Sequence, residues 1–400
     1  MAEPSTMSPF HRSEREVQAR LGVRDKIEEI GQRFIRDHLP DEHRAFYEGL
    51  PYLLIGSVDT SGRPWASVLV GRVGFVTSPD PHTLVIDTPR IYGDPLNDSV
   101  SEGSPVGVLG IEYSTRRRNR LAGKIATLKD ETLEIRVDQT FGNCPQYIQA
   151  REPEFLAEID SVGDARRIQR MDRLSDRAQE IVSRADNFYI ATYYSEDPND
   201  VTHGADVSHR GGKPGFVRID DDGALTLPDF TGNYHFNTVG NILINPRAGL
   251  LFIDFETGDL LYLTCGAEII WDSEERRAFT GAERLVRFTV DEGCIVENAM
   301  PIRWDFRDYS PSLEKTGSWE EVAETIAARE EGNVYRDYVI ARVERESTSI
   351  TSFYLEPAEG GSVPCHEPGQ FLPIEIQPPD ETETVRRTYT ISNSPNGSHY

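Results

Sequence analysis

The sequence is poor in the residues that tie a chain to a metal or a disulfide scaffold. Its 400 residues hold four cysteines, Cys144, Cys265, Cys294 and Cys365, far apart and without a C-x-x-C pair. That excludes the thiolate spacing of structural zinc and iron–sulfur sites, and reduced, buried thiols are expected. The nine histidines lack metal-ligand spacing too. Positive charge is scarce: 42 Lys and Arg face 67 Asp and Glu, a net charge of −25. Such a chain repels nucleic acid and anionic membrane, so neither is expected as a partner. No apolar run approaches a bilayer span. The N-terminus, MAEPSTMSPFHRSERE, lacks the apolar core of a secretory signal, so a cytoplasmic location is expected. No nucleophile–base pair or carboxylate dyad stands out.

What the chain does have is a dense stretch from Ser208 to Asp254. Gly211-Gly212 and Pro214-Gly215 precede a short apolar run, Phe216-Val217. Lys213 and Arg218 lie five apart, and a bend at Pro214-Gly215 turns both toward one anion. Asp221-Asp222-Gly223 reads as a hairpin turn, with Ala224 to Leu227 as the returning strand. Asn237 and Thr238 open a short helix that stops at Asn245-Pro246. Free amide groups at such an end favour an anion. Ala248 to Asp254 is a buried strand. The plan is a small barrel holding a phosphate on its rim.

On these residues the stretch resembles the flavin-binding split barrel of the pyridoxamine 5′-phosphate oxidase-like family. The family's strand with two cations matches Lys213 to Arg218, and its Asn-Pro-Arg before an apolar strand matches Asn245-Pro246-Arg247. The oxidases carry an Arg-Lys pair on the helix where this chain has Asn237-Thr238. The resemblance implies FMN, held by Lys213, Phe216, Val217, Arg218, Leu227, Pro228, Asn233, Asn237, Thr238 and Asn241. His209 is a candidate proton donor to reduced flavin, with a structural hydrogen bond as the other reading.

The order of features from Leu53 to Gln149 recurs from Asn187 to Asn298. Gly-Arg-Val-Gly-Phe-Val from Gly71 answers Gly-Lys-Pro-Gly-Phe-Val from Gly212. A tandem duplication is expected, forming within one chain the pair that family members form as homodimers. Arg72 then answers Lys213, while Thr77 stands where Arg218 stands, so the second site is expected to keep flavin better. The cluster Arg116 to Arg120 is a candidate phosphate clamp, with Arg117 and Arg118 reaching across from the first barrel.

Ser13 to His38 reads as one helix with a capping box at Ser13 and Glu16, followed by a short helix over DEHRAFYEGL; together they make a lid. Helices are also expected over Asp176 to Ala185, Ser273 to Leu285 and Trp319 to Arg329. From Tyr338 three strands lead into Pro368-Gly369-Gln370-Phe371 and Arg387-Thr388-Tyr389-Thr390. This resembles the start of the FAD-binding barrel of the ferredoxin–NADP reductase family. The resemblance gives Arg387 to FAD phosphate, Tyr389 to the flavin ring and Thr390 to its reactive nitrogen. The chain ends at Tyr400, so this third barrel is expected to be incomplete.

The expected class is mainly β with α: two tandem split β-barrels, an incomplete reductase-type barrel and an N-terminal helical lid. The divisions are 1–50 helical, 51–160 first repeat, 161–303 second repeat with the FMN site, 304–336 linker and 337–400 the truncated FAD-binding barrel. The implied function is a flavin-dependent oxidoreductase, with a nicotinamide nucleotide as donor in the intact protein and an unnamed acceptor. It is either a monomer with an internal pseudo-dimer or a homodimer. The alternatives are a non-catalytic flavin- or haem-binding protein and a structural platform.

Overall fold

The computed structural model describes residues 7–156, 162–332, 335–363, 366, 370–377, 384–392, 397 and 400. Cys365 and Pro368-Gly369 lie outside them. The chain forms two compact units, Met1–Glu324 and Thr325–Tyr400.

The larger unit opens with α1 (Arg12–Arg20), α2 (Arg24–Phe34) and α3 (Asp41–Glu48). The single helix expected from Ser13 to His38 is broken at Gly22, whose φ of 68° is left-handed. The cap of α1 is His11, not Ser13: its Nδ1 accepts from Ser13 N at 3.3 Å, and Glu14 Oε2 accepts from His11 N at 2.8 Å.

The first repeat contains β1 (Tyr52–Val58), β2 (Pro64–Val70), β3 (Val76–Thr77), β4 (Thr83–Asp87), α4 (Leu96–Ser99), β5 (Pro105–Glu112), β6 (Arg117–Lys129) and β7 (Thr132–Asn143). β8 (Ala150–Phe155), β9 (Ile168–Met171) and α5 (Asp176–Arg184) lead to the second. That repeat contains β10 (Asn187–Tyr194), β11 (Gly204–Gly211), β12 (Arg218–Ile219), β13 (Leu225–Phe230), α6 (Asn237–Ile244), β14 (Arg247–Ile253), β15 (Leu260–Ile270), α7 (Glu274–Ala278) and β16 (Ala282–Val296). α7 is shorter than the helix expected over Ser273 to Leu285. Left-handed Gly281, φ 83°, ends that turn, and the chain from Ala282 pairs with β13 and β15 instead.

The sheets repeat one plan. The order is β2-β1-β5-β6-β7-β4-β3 in the first and β11-β10-β14-β15-β16-β13-β12 in the second, where β9 adds to β16. The protein is thus mainly β, with two tandem split-barrel units whose sheets stay open. Even the turn before the third strand recurs: Phe75 N donates to Arg72 O and Phe216 N to Lys213 O, both at 2.9 Å.

One apolar cluster fills each repeat, and a third, containing Leu54, Val68, Tyr189, Leu251 and Tyr262, spans the seam between them. β2 packs on β14, and β11 packs on β5. β17 (Ile302–Asp308) pairs with β8 across the repeats.

The smaller unit receives α8 (Trp319–Gly332), which begins in the larger one. It holds two antiparallel strand pairs: β18 (Tyr338–Arg345) with β19 (Thr351–Pro357), and β20 (Phe371–Ile376) with β21 (Val385–Thr390).

Candidate functional site: a cationic cavity at the seam

Strand alternation decides which arginines meet. On β6, Arg118 and Arg120 share one face and Arg117 takes the other. Arg118 and Arg120 line a cavity of about 90 Å³ between the repeats. The first repeat also supplies Asn143, Cys144 and Tyr147 to it, and the second supplies Ser208, His209, Arg210, Phe216, Pro228, Phe230 and Asn233. Arg117 instead pairs with Glu42 at 3.0 Å and lies over the Phe46 ring.

Arg118 reaches across the seam. Its Nε donates to Cys144 O at 2.8 Å and its Nη1 lies 3.4 Å from His209 Nδ1. No carboxylate is among its described partners. Burial, then the neighbouring Arg210, pulls its pKa down to about 10. Arg120 is lowered to about 9 by burial, then by Arg210 and Arg118, although it is ion-paired with Asp206 and donates to Asn237 Oδ1 at 3.1 Å. Arg210 shares Asp229, at 3.6 Å, with Arg284 at 3.2 Å. The cavity therefore concentrates positive charge that its own carboxylates do not balance, the condition under which an anionic ligand gains most.

His209 is held neutral. Burial comes first, then Arg118, Arg210 and Arg151, and its pKa falls well below the ordinary value. Its Nε2 lies 3.3 Å from Asn187 Nδ2, and Asn187 Nδ2 is 2.6 Å from Tyr113 OH. A donor role for His209 would use the single N–H of a neutral ring.

Backbone strain occurs at the cavity in Tyr147, and beyond Asn233 in Tyr234 and Phe236. Tyr147, Tyr234 and Phe236 all have positive φ, at 62°, 60° and 66°. Non-glycine residues adopt this region at a cost, and such positions cluster at ligand sites. Tyr147 stacks on Phe230 with ring centroids 5.2 Å apart.

The other expected site residues are distributed differently. Lys213 and Arg218 do not line the cavity: Lys213 Nζ lies 4.0 Å from Glu321, and Arg218 binds Asp220 at 2.7 Å and Glu275 at 2.5 Å while lying over the Trp319 ring. The Pro214-Gly215 bend aims them at these carboxylates. Val217 and Leu227 are core, whereas Phe216 and Pro228 border the cavity. Asn233 reaches it and donates to Asn143 Oδ1 at 3.0 Å. Asn237 and Asn241 line a second, smaller cavity, and Thr238 Oγ1 bonds Ser208 and Asp206 at 3.2 and 3.3 Å. Arg387, Tyr389 and Thr390 stand exposed on β21; Arg387 Nη1 donates to Arg386 O at 2.8 Å. Sequence reading missed Arg210, Cys144, Tyr147 and Phe230. It had Arg120 within its cluster, and the alternating Arg118-x-Arg120 was the available signal.

The registers give four of the cavity residues an equivalent in the other repeat. Leu54 and Leu109 answer Tyr189 and Leu251. It follows that Arg118 answers Leu260, Arg120 answers Tyr262, Asn143 answers Val296 and His209 answers Val68. All four counterparts belong to the apolar seam cluster. The second copy of the site is filled with side chains, and this asymmetry lies on β2, β15 and β16 rather than at Thr77.

No protein-family model matches the chain. It is similar to the flavohemoprotein of Bacillus subtilis (strain 168), 35% identical over 108 residues, covering 27% of this chain and 23% of that protein. It is also similar to the flavohemoprotein of Deinococcus radiodurans, 39% identical over 66 residues, covering 16% of each. The chain thus spans about a fifth of the length of these relatives. Among solved structures it is similar to a pyridoxinephosphate oxidase family protein from Clostridium acetobutylicum, with 15% identity, 36% of this chain, 94% of that one and a TM-score of 0.23. It is likewise similar to HutZ, the heme storage protein from Vibrio cholerae, with 12% identity, 31% of this chain, 95% of that one and a TM-score of 0.22. The architecture rests on the duplicated strand order, not on these superpositions.

Proposed function

We propose that the larger unit is a flavin-binding module of a flavin-dependent oxidoreductase, with FMN held at the seam between residues 51–160 and 161–303. The single observation that carries this reading is Arg118: a cation in the seam cavity with no carboxylate among its described partners. Arg118 and Arg210 would hold the anionic part of the ligand, with Asn233 and Ser208 as neutral hydrogen-bonding groups. His209 accepts from Arg118 and orients it. Tyr147 and Phe230 present aromatic surface to a planar ring. When bound, the flavin itself supplies the redox chemistry; these residues bind it, orient it and exclude water. The one histidine lining the cavity has neighbours at both ring nitrogens, which favours flavin over haem as the ligand.

In the same proposal, residues 337–400 begin a reductase-type FAD-binding barrel, with Arg387, Tyr389 and Thr390 as its ligand contacts. A nicotinamide nucleotide would reduce FAD, and electrons would pass to the FMN and on to an acceptor. The partial likeness to flavohemoproteins supports this direction of flow. Among the described residues no helix is long and apolar enough to cross a membrane.

The test is the absorbance spectrum of the purified chain, with FMN titration of the wild type and of Arg118→Met. Flavin bound by the wild type and lost in the variant supports the reading. A protein that neither carries nor binds FMN rejects it, and a Soret band instead would move the assignment to haem.

A further inference from the structure

Arg284 is a fully buried arginine that lines neither cavity. It stands in a row of apolar pairs. Where β13 meets β16, Leu225 faces Phe288, Leu227 faces Val286, and Asp229 faces Arg284. The first two pairs belong to the apolar cluster of the second repeat. The third is an ion pair, Arg284 Nη1 to Asp229 Oδ2 at 3.2 Å, with Asp229 only 8% exposed. Burying such a pair seldom adds stability over an apolar one, so stability alone does not explain it.

The first repeat has no such pair. By the same registers, Thr88 and Glu131 stand where Asp229 and Arg284 stand, and Glu131 is exposed. The ion pair is therefore present beside the open cavity and absent from its filled counterpart.

Asp229 faces two cations. It lines the seam cavity, where its Oδ1 lies 3.6 Å from Arg210 Nε, while its Oδ2 meets Arg284. Arg284 Nε and Nη1 have no hydrogen-bond partner among the described residues. Its hold on Asp229 is thus one of charge, not a two-pronged fork. The Phe236 and Trp271 rings steady the guanidinium from 5.1 and 5.3 Å. A bulge follows: Phe230 faces Ala282, which leaves Glu283 as the extra residue. Glu283 pairs with Arg284 and accepts from Thr231 Oγ1 at 2.9 Å and Tyr234 OH at 3.2 Å. Thr231 lies on the cavity rim, so the same arginine also steadies that rim.

We propose that Arg284 is a positioning residue for the anion site. By sharing Asp229 it keeps that carboxylate from neutralising Arg210, and so leaves Arg210 its charge for the anionic part of the ligand. Without Arg284, Asp229 turns to Arg210 alone. Without the Asp229 charge, Arg210 is freer than in the wild type. This inference rests on the flavin reading, through the anion it assigns to Arg210.

The experiment uses the full chain. Dissociation constants for FMN and for inorganic phosphate are measured for the wild type, Arg284→Met, Asp229→Asn and the double variant. Arg284→Met should weaken both ligands about tenfold, the scale of one charge-assisted contact. Asp229→Asn should tighten both about threefold, the scale of one half-exposed ion pair. The double variant should bind at least as tightly as the wild type, because Arg284 acts through Asp229. It removes one cation and one anion together, which keeps the test open should Arg284→Met fold poorly. A merely structural Arg284 would give an Asp229→Asn no tighter than the wild type and a double variant no tighter than Arg284→Met. Either result, with FMN bound by the wild type, overturns the positioning role and leaves the flavin reading standing. Phosphate bound in the expected order without FMN binding supports the role and removes the flavin reading. Neither ligand bound by any of the four proteins overturns both.

Discussion

Arg118 of the first repeat and His209 of the second meet across the seam, 3.4 Å apart, with the imidazole neutral beneath the guanidinium. Neither repeat alone contains this pair. Its consequence is a half-buried cation with no carboxylate among its described partners.

Replacing that cation should separate binding from stability. Arg118→Met keeps the side-chain stem and removes the charge. We expect the ligand-free protein to melt at the same or a higher temperature, since a half-buried charge without a carboxylate partner is costly. FMN affinity should fall by at least about tenfold, the scale of one charge-assisted contact. Calorimetric melting beside an FMN titration checks both halves; a lower melting temperature with unchanged affinity would make Arg118 purely structural.

Stoichiometry follows from the filled counterpart. Leu260, Tyr262, Val296 and Val68 occupy the positions of Arg118, Arg120, Asn143 and His209. Titration calorimetry should therefore give one FMN per chain. A value of two would show that the apolar copy also opens.

The seam depends on two equivalent glycines. A Cβ on Gly107 would come within 2.8 Å of the Ala205 carbonyl oxygen, and one on Gly249 within 2.4 Å of that of Pro64. Backbone atoms have little freedom to retreat, so Gly107→Ala and Gly249→Ala should each destabilise the larger unit by about 2 kcal/mol or more. Denaturant midpoints measure this, and near-wild-type values would mean that the repeats slide apart without penalty.

Glu14 predicts a pH dependence. Burial raises its carboxyl pKa from 4.5 to about 8 against the opposing pulls of His11 N, Asn237, Arg120 and Arg15. A raised folded-state pKa means that the unfolded chain releases the proton first. The stabilisation is complete below pH 4.5 and is lost as pH rises to about 8. Glu14→Gln, which stays neutral, should gain on the wild type by a few kcal/mol across that window. Unfolding free energies at both ends decide it; parallel curves would show that Glu14 ionises normally.

Much of this was visible in the amino-acid order, and the failures have physical causes. Gly-x-x-Gly-Phe-Val after Gly71 and Gly212 announced the duplicated turn, because φ of 100° at Gly74 and 80° at Gly215 needs glycine in both. Strand alternation within Arg117-Arg118-Asn119-Arg120 was also available, yet naming Arg117 with Arg118 chose adjacent residues that a strand sends to opposite faces. Lys213 and Arg218 looked like a phosphate pair because nothing local reveals Glu275 and Glu321. Those carboxylates come from α7 and α8, about 57 and 108 positions further along.

The sequence by itself determined the local grammar: which segments are strands, where glycines turn the chain, and that one pattern occurs twice. Such features depend on neighbours within a few residues, where periodicity and backbone sterics act. Only the tertiary structure decided which charges remain uncompensated. Packing β2 on β14 and β5 on β11 brings Arg118 to His209 and closes the equivalent place with Leu260 and Tyr262. Whether an arginine is free or neutralised depends on residues a hundred positions away, and that is set by packing rather than by pattern.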